Sequence, residues 1–88
     1  MGNKWSPALI EGRQVRAARG LLEWSRSDLV RASGVSMSAL LRLESAQADT
    51  RTSTVSKVIV ALEAAGIVFV NDSQTGTGVL VKSDSGPT

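Results

Sequence analysis

The chain has 88 residues, 42% of them hydrophobic and 20% charged, which corresponds to one small domain whose marginal core is often supplemented by a partner. It contains neither cysteine nor histidine, so disulfides, thiolate zinc sites and the usual base of a hydrolytic enzyme are excluded, and we expect no enzyme activity, no metal and no cofactor. The formal net charge is only +2, which by itself is a weak argument for an anionic partner.

The first predicted helix spans about Glu11 to Leu22. Val15, Ala18 and Leu22 recur there at intervals of three and four residues and so share one face. Trp24 follows the helix and is predicted to pack against the next one as a hydrophobic staple.

A second helix and a tight turn are predicted after Trp24. Ser25 and Asp28 have the spacing of a capping box, which predicts a helix that begins at Arg26. Gly34 can adopt the left-handed conformation that ends this helix without a steric penalty from Cβ. The chain is therefore expected to change direction at Gly34.

The third predicted helix has a polar outward face. Ser36 can cap this helix, which runs to about Ser45, so residues 26–45 form a helix-turn-helix whose second helix fits the major groove of DNA. Leu40 and Leu43 face the neighbouring helices by their spacing. Arginine can bind guanine, serine can donate or accept, and methionine or leucine can contact the methyl group of thymine. We therefore expect base contacts from Ser36, Met37, Ser38, Leu41 and Arg42. The alternative is a small helical bundle whose polar face has no ligand.

A fourth long helix is predicted after the loop at residues 45–51. Thr52 or Ser53 is expected to cap it, and Gly66 is expected to end it. An apolar stripe along this helix predicts a buried face, and it consists of Val55, Val58, Ile59 and Leu62.

Beyond residue 66 the apolar pattern changes from helical to extended. Residues 67–70 and 79–81 are predicted strands, and residues 71–78 form the loop of a β-hairpin. Because a single hairpin is marginal and its edges can pair with another chain, our hypothesis is an intersubunit sheet. The expected dimerisation residues are Ile67, Val68, Phe69, Val70, Val79, Leu80 and Val81. The alternative dimer surface is the fourth helix, through Val60, Ala61 and Ala64.

The charge is unevenly distributed along the chain. Residues 1–57 carry nine basic and five acidic side chains, whereas residues 58–88 carry one basic and three acidic ones. Positive charge therefore belongs to the helix-turn-helix part, as contact with DNA phosphates requires. No apolar run is long enough to cross a bilayer, so we expect a cytoplasmic protein that does not contact membranes.

The sequence of the helical part resembles the lambda-repressor-like helix-turn-helix family, also called the Cro or XRE type. Four stretches carry the resemblance: GRQVRAARGLLEWS from Gly12, Asp28-Leu29, Ala32-Ser33-Gly34-Val35-Ser36 and Leu40-x-Arg42-Leu43-Glu44. It covers roughly residues 10–65. The resemblance implies a bundle of four or five helices that binds operator DNA as a homodimer.

The resemblance also implies roles for single residues. It places four of the outward residues at base-contacting positions: Ser36, Met37, Ser38 and Arg42. Family members commonly carry glutamine where this chain has Arg26, a position that contacts phosphate. With neighbouring and loop residues included, the expected phosphate contacts are Arg26, Ser27, Ser45 and Arg51, although Arg51 fits a solvated loop equally well. A structural ion pair is implied between Arg19 and Glu44.

The sequence as a whole is interpreted as three segments. Residues 1–66 are expected to form the DNA-binding domain, residues 67–82 the dimerisation strands and residues 83–88 a disordered tail. We expect a bacterial or phage transcriptional regulator, a repressor that binds a palindromic operator as a homodimer. Two other functions remain open. One is an antitoxin that binds a protein partner and regulates its own promoter, and the other is an assembly protein that uses the fold without DNA.

Overall fold

The computed structural model describes residues 10–45 and 51–82. These residues form four helices followed by a two-stranded antiparallel sheet: α1 (Gly12–Leu22), α2 (Arg26–Ser33), α3 (Met37–Glu44), α4 (Thr52–Ala64), β1 (Ile67–Asp72) and β2 (Gly76–Val81). The mainly helical fold with a C-terminal hairpin is the one that the sequence predicts. The predictions for the loop at residues 46–50 and for the tail at residues 83–88 lie outside the described residues.

Two hydrogen bonds between Glu11 and Gln14 begin α1. The carbonyl oxygen of Glu11 accepts from the backbone N–H of Gln14 at 2.9 Å, and Oε1 of Gln14 accepts from the backbone N–H of Glu11 at 2.8 Å. Glu11 is therefore the cap rather than the first helical residue, because its φ and ψ are extended. The helix ends at Glu23, which has a left-handed backbone with φ of 58°.

The predicted caps of the helix-turn-helix are confirmed. Oγ of Ser25 accepts from the backbone N–H of Asp28 at 3.0 Å, and Oδ2 of Asp28 accepts from the N–H of Ser25 at 2.8 Å. Gly34 ends α2 with φ of 80°, a conformation that a side chain makes costly. Oγ of Ser36 then accepts from the N–H of Ala39 at 3.1 Å and so caps α3. These local bonds fix the ends of both helices.

The expected cap of α4 is wrong. Thr52 and Ser53 are both inside the helix, and Arg51 is the N-cap residue without a side-chain capping bond. The apolar stripe is confirmed for Val55, Val58 and Leu62, whereas Ile59 is only partly buried.

All four helices and β1 contribute to one core. Its buried hydrophobic residues are Val15, Ala18, Leu29, Val35, Leu40, Leu43, Val55, Val58, Ala61, Leu62 and Ile67. Leu29, Leu40 and Leu62 are fully buried. Removing each of these side chains from water stabilises the fold by about 1.5–3 kcal/mol. Trp24 packs against this core, as the sequence predicts.

The hairpin is longer and its turn shorter than the sequence indicates. Each strand has six residues, and the register continues from the Ile67–Val81 pair to the Asp72–Gly76 pair. Only residues 73–75 lie between the strands, so the predicted eight-residue loop at 71–78 is wrong. Asp72 stabilises the turn, because its Oδ1 accepts from the backbone N–H of Gln74 at 2.9 Å.

The hairpin packs on the chain's own helices. Ile67 is 2% exposed, and Phe69 and Val79 pack against the core. The expectation that all seven strand residues contact a second subunit therefore needs correction, because these three serve the fold of one chain. The residues left for a partner are Val68, Val70, Leu80 and Val81.

One buried amide joins α1 to the hairpin. Nε2 of Gln14 donates to the carbonyl oxygens of Val70 at 3.2 Å and Gly78 at 2.9 Å, and these two residues are register partners. Gln14 is 2% exposed, so its amide is satisfied inside the protein. The position of the hairpin on α1 is therefore fixed by hydrogen bonds as well as by apolar packing.

Candidate nucleic-acid interface

The outward face of α3 carries the five residues that the sequence predicts for base contact. All five are exposed: Ser36, Met37, Ser38, Leu41 and Arg42. Met37 and Leu41, although apolar, are 37% and 44% exposed. Leu40 and Leu43 on the opposite side are buried in the core. The structure thus separates the packing face of α3 from a solvent-facing one of mixed chemistry.

A basic cleft lies beside this face, between α3 and α4. It has a volume of about 340 Å³, and Ser36, Ser38 and Arg42 line it from the α3 side. On the α4 side it is lined by Arg51, Thr54 and Lys57. Among the described residues, three cationic side chains and no carboxylate therefore line the cleft.

The charges in the basic cleft differ from most others in the protein. Four arginines are in ion pairs, namely Arg13, Arg19, Arg26 and Arg31. Within residues 10–45 and 51–82, no carboxylate lies within 4.0 Å of the basic groups of the other five cations, namely Arg16, Arg42, Arg51, Lys57 and Lys82. Arg16 donates to a backbone carbonyl, and three of the remaining four cations line the basic cleft. Their charge is not neutralised by an ion pair in the described part of the chain.

A buried glutamate fixes the C-terminal end of α3. Glu44 has a side chain only 3% exposed, and its Oε2 accepts from Nε of Arg19 at 2.7 Å. Its Oε1 accepts from Nε of Arg26 at 2.8 Å, and its backbone carbonyl accepts from Arg16. The expected pair of Arg19 and Glu44 is therefore confirmed, and Arg26 is a second arginine paired with the same carboxylate, whereas Arg16 bonds only the backbone. Because a buried carboxylate is costly unless it is paired, this cluster stabilises one orientation of α3 against α1 and α2.

Arg26 has a structural role in addition to the predicted phosphate contact. Its side chain is 44% exposed, and the bond to Glu44 uses Nε. Its two terminal nitrogens form no hydrogen bond within the described residues. Glu44 therefore orients the guanidinium without occupying the atoms that would reach a phosphate.

Two other predicted phosphate contacts have different surroundings. Ser27 is exposed in the first turn of α2. Ser45 is also exposed, but its hydroxyl donates to the carbonyl oxygen of Leu41 at 2.8 Å. A hydroxyl has one proton to donate. In this arrangement the hydroxyl proton of Ser45 is directed to its own helix, and its contact with a phosphate stays a prediction.

The basic cleft includes two residues that were not predicted. Thr54 and Lys57 look like ordinary surface positions in the sequence, and their place opposite α3 depends on how the two helices pack. One signal was present, since Arg51, Thr54 and Lys57 recur at intervals of three and so lie along one side of α4. Helical spacing alone would have grouped them.

Other kinds of site have little support in the described segments. Residues 10–45 and 51–82 contain no group of three or more carboxylate, histidine or cysteine side chains that could hold a metal ion. Each helix in the described ranges is too short or too polar to span a membrane. The chain matches no protein-family model and no curated protein. The resemblance to the lambda-repressor-like family therefore stays a prediction.

Proposed function

We propose that the protein binds double-stranded DNA with α3 in the major groove and so regulates transcription. The observation that supports this most directly is the position, beside the exposed face of α3, of three cations that form no ion pair with any described residue. This arrangement offers two kinds of contact at once, one to base edges and one to phosphates.

The dimensions of α3 suit the major groove. An α-helix rises about 1.5 Å per residue and is about 10–12 Å wide, and the major groove of B-form DNA is about 12 Å wide. The eight residues of α3 are held at both ends, by the Ser36 cap and by the paired Glu44. A helix fixed in this way can present its side chains to bases without first being ordered, which lowers the cost of binding.

The exposed side chains of α3 divide the recognition by chemistry. Arg42 can donate to a guanine through two nitrogens, and Ser38 can donate or accept at several base edges. Met37 and Leu41 provide apolar contact for the methyl group of thymine. Arg26 and Arg51 add contacts to phosphates, which increase affinity without reading sequence.

A homodimer is part of the proposal. One short helix contacts only a few base pairs, whereas two copies related by a two-fold axis read a palindrome with half-sites about 34–36 Å apart. The outer face of the hairpin supports this arrangement, since Leu80 is 59% and Val81 is 40% exposed. Within the described residues the sheet has only two strands, so both of its outer edges lack a paired strand there. A repressor is the simplest regulator of this form, because a bound dimer blocks a promoter without a further domain.

The proposal is tested by binding and selection on duplex DNA. The full chain is titrated into a fluorescent duplex of random sequence at low salt, and bound sequences are then selected from a random pool. We expect binding that weakens steeply with salt and a selected motif with two-fold symmetry. Absence of binding at low salt would contradict DNA binding, and a bound pool without any common motif would contradict sequence-specific regulation.

The antitoxin alternative has one observation in its favour. Val60 is 66% and Leu80 is 59% exposed, and neither lines the basic cleft. Exposed apolar side chains of this size fit a protein partner. Co-purification of the product of a neighbouring gene, retained when Arg42 is replaced by alanine, would favour this function over simple repression.

A further inference from the structure

The α4 side of the basic cleft is lined by a hydroxyl and an ammonium group that do not belong to the helix-turn-helix. Thr54 and Lys57 lie on α4, outside residues 26–45, yet they line the same cleft as Ser38 and Arg42. Lys57 is exposed and has no ion pair within the described residues. No carboxylate from residues 10–45 or 51–82 lines the cleft beside Lys57 and the two arginines, and this excess of positive charge favours an anionic ligand.

We propose that the basic cleft holds a phosphate group of the DNA backbone, with Lys57 contacting it from the α4 side. This inference rests on the proposed function and adds α4 to the elements that contact DNA. The ammonium group of lysine is a compact point charge, which suits a phosphate better than the planar edge of a base. The hydroxyl of Thr54 provides a neutral donor on the same side.

The position of the cleft favours a DNA strand over a free anion. Ser38 and Arg42 belong both to the exposed face of α3 and to the cleft lining. A strand whose bases meet α3 must therefore carry its backbone past the cleft. A free phosphate would need no such continuity with the base-reading face.

The first experiment compares two lysines that form no ion pair within the described ranges. In Lys57→Ala a cation is removed from the cleft, and in the matched control Lys82→Ala one is removed beyond the end of β2. We expect Lys57→Ala to weaken specific and random duplexes by the same factor, and Lys82→Ala to change neither. Loss of one phosphate contact should lower the salt slope by about 0.9, so between 50 and 200 mM salt the wild type loses about threefold more affinity than Lys57→Ala. Lys57→Arg should restore the slope because it keeps the charge.

The second experiment locates the phosphate. Single phosphates of the duplex are replaced by neutral methylphosphonates, one position at a time, and each duplex is bound to the wild type and to Lys57→Ala. We expect one position in each half-site at which the replacement weakens the wild type but has no further effect on Lys57→Ala. If every methylphosphonate weakened Lys57→Ala as much as it weakened the wild type, the inference would be overturned. Because Lys57 is exposed, unchanged thermal unfolding is the expected control for the fold.

The outcomes distinguish this inference from the proposed function. If the wild type binds duplex DNA and Lys57→Ala behaves like Lys82→Ala, the cleft inference fails and DNA binding stands. If the wild type does not bind duplex DNA at low salt, both fail. Titration with inorganic phosphate separates the two sources of phosphate. Binding that depends on Lys57 for inorganic phosphate but not for duplex DNA would make the cleft a free-anion site and overturn the proposal.

Discussion

The backbone of Gly12 in α1 lies against the carbonyl group of Glu44 at the end of α3. A Cβ atom on residue 12 would stand 2.8 Å from that oxygen, closer than real Cβ atoms approach a backbone. Gly12→Ala should therefore push α1 away from α3 and lower the free energy of unfolding by about 1–3 kcal/mol or more. Urea denaturation of the full chain measures this loss.

Gly20 is the matched control in the same helix. A Cβ atom there meets nothing within 4 Å, and the residue is exposed. Gly20→Ala should raise the free energy of unfolding by about 0.5–1 kcal/mol, because alanine loses less backbone entropy in a helix. Equal stability of the two variants would show that the close approach of α1 and α3 is not required.

The caps and turns could be predicted because their signals are local. Ser25, Gly34 and Ser36 act on residues no more than four positions away, so the sequence contains the whole interaction. The exposed face of α3 followed from helical spacing in the same way. For these features the fold adds little beyond what a short segment specifies.

The remaining features depend on residues that are distant in sequence. From the sequence alone, Gly12 is a weak helix former and Gln14 a surface residue. In the structure α3 packs on Gly12 and the hairpin covers Gln14. Lys57 became part of the site only through the packing of α4 beside α3. No short-range pattern contains the relative position of two helices, so these roles could not be predicted from the sequence.

Gln14 is predicted to control the docking of the hairpin. In Gln14→Glu the donor to the carbonyls of Val70 and Gly78 is replaced by a buried carboxylate, while an acceptor for the N–H of Glu11 is kept. The new carboxylate would face these two carbonyl oxygens without a donor between them. We expect this to lower the free energy of unfolding by about 2–3 kcal/mol or more at neutral pH. Hydrogen exchange of the amides of β1 should accelerate.

The control for this prediction is an exposed glutamine. Gln74 lies in the hairpin turn and is exposed, so Gln74→Glu should leave both stability and exchange close to the wild type. If the amides of β1 exchanged as slowly in Gln14→Glu as in the wild type, the side-chain amide of Gln14 would not be what holds the hairpin.

Acid is predicted to weaken the cap of α2. The pKa of Asp28 is lowered by the hydrogen bond from the backbone N–H of Ser25, then by the hydroxyl of Ser25, and further by Arg31. Because the folded state lowers this pKa, the stabilisation is present above the unfolded pKa and is lost as the pH falls through the folded value. The free energy of unfolding should therefore decrease below about pH 4.

Asp28→Asn separates this contribution from others. The pKa of Asp72 is also lowered, chiefly by the backbone N–H of Gln74, so part of the acid sensitivity should remain in Asp28→Asn. Between about pH 2.5 and 7, the range in which carboxylates titrate, the urea midpoint should vary less for Asp28→Asn than for the wild type. It should vary least for the double variant that also carries Asp72→Asn. An unchanged pH dependence in the double variant would refute this assignment.

Two exposed apolar residues distinguish the possible dimer surfaces. Leu80 on the hairpin is 59% exposed and Val60 on α4 is 66% exposed, so an aspartate at either position should leave the monomer folded. If the hairpin joins the subunits, Leu80→Asp is monomeric by light scattering and Val60→Asp remains dimeric. The reverse pattern would assign the interface to α4. Truncation after residue 66 is a poorer test, because it removes Ile67 from the core.

Arg42 and Arg26 are predicted to serve DNA binding in different ways. Arg42 is exposed on α3 and unpaired within the described residues, so Arg42→Ala should cost about 1–3 kcal/mol on the preferred sequence and relax the preference at one base pair. Arg26→Ala should weaken specific and random duplexes alike and lower the salt slope by about one. Fluorescence anisotropy on both duplexes at several salt concentrations measures each effect.

The ion pair with Glu44 makes the Arg26 prediction more specific. In Arg26→Ala the carboxylate keeps its 2.7 Å bond to Arg19, so α3 should stay in place and the loss should come from the missing phosphate contact. In Arg19→Ala, by contrast, one partner of a pair that is 17% and 3% exposed is removed, and stability should fall before affinity does. If Arg26→Ala unfolds as readily as Arg19→Ala, then Arg26 acts through the fold. If Arg42→Ala, like Arg26→Ala, loses affinity equally on specific and random duplexes, then the division between phosphate and base contacts is wrong.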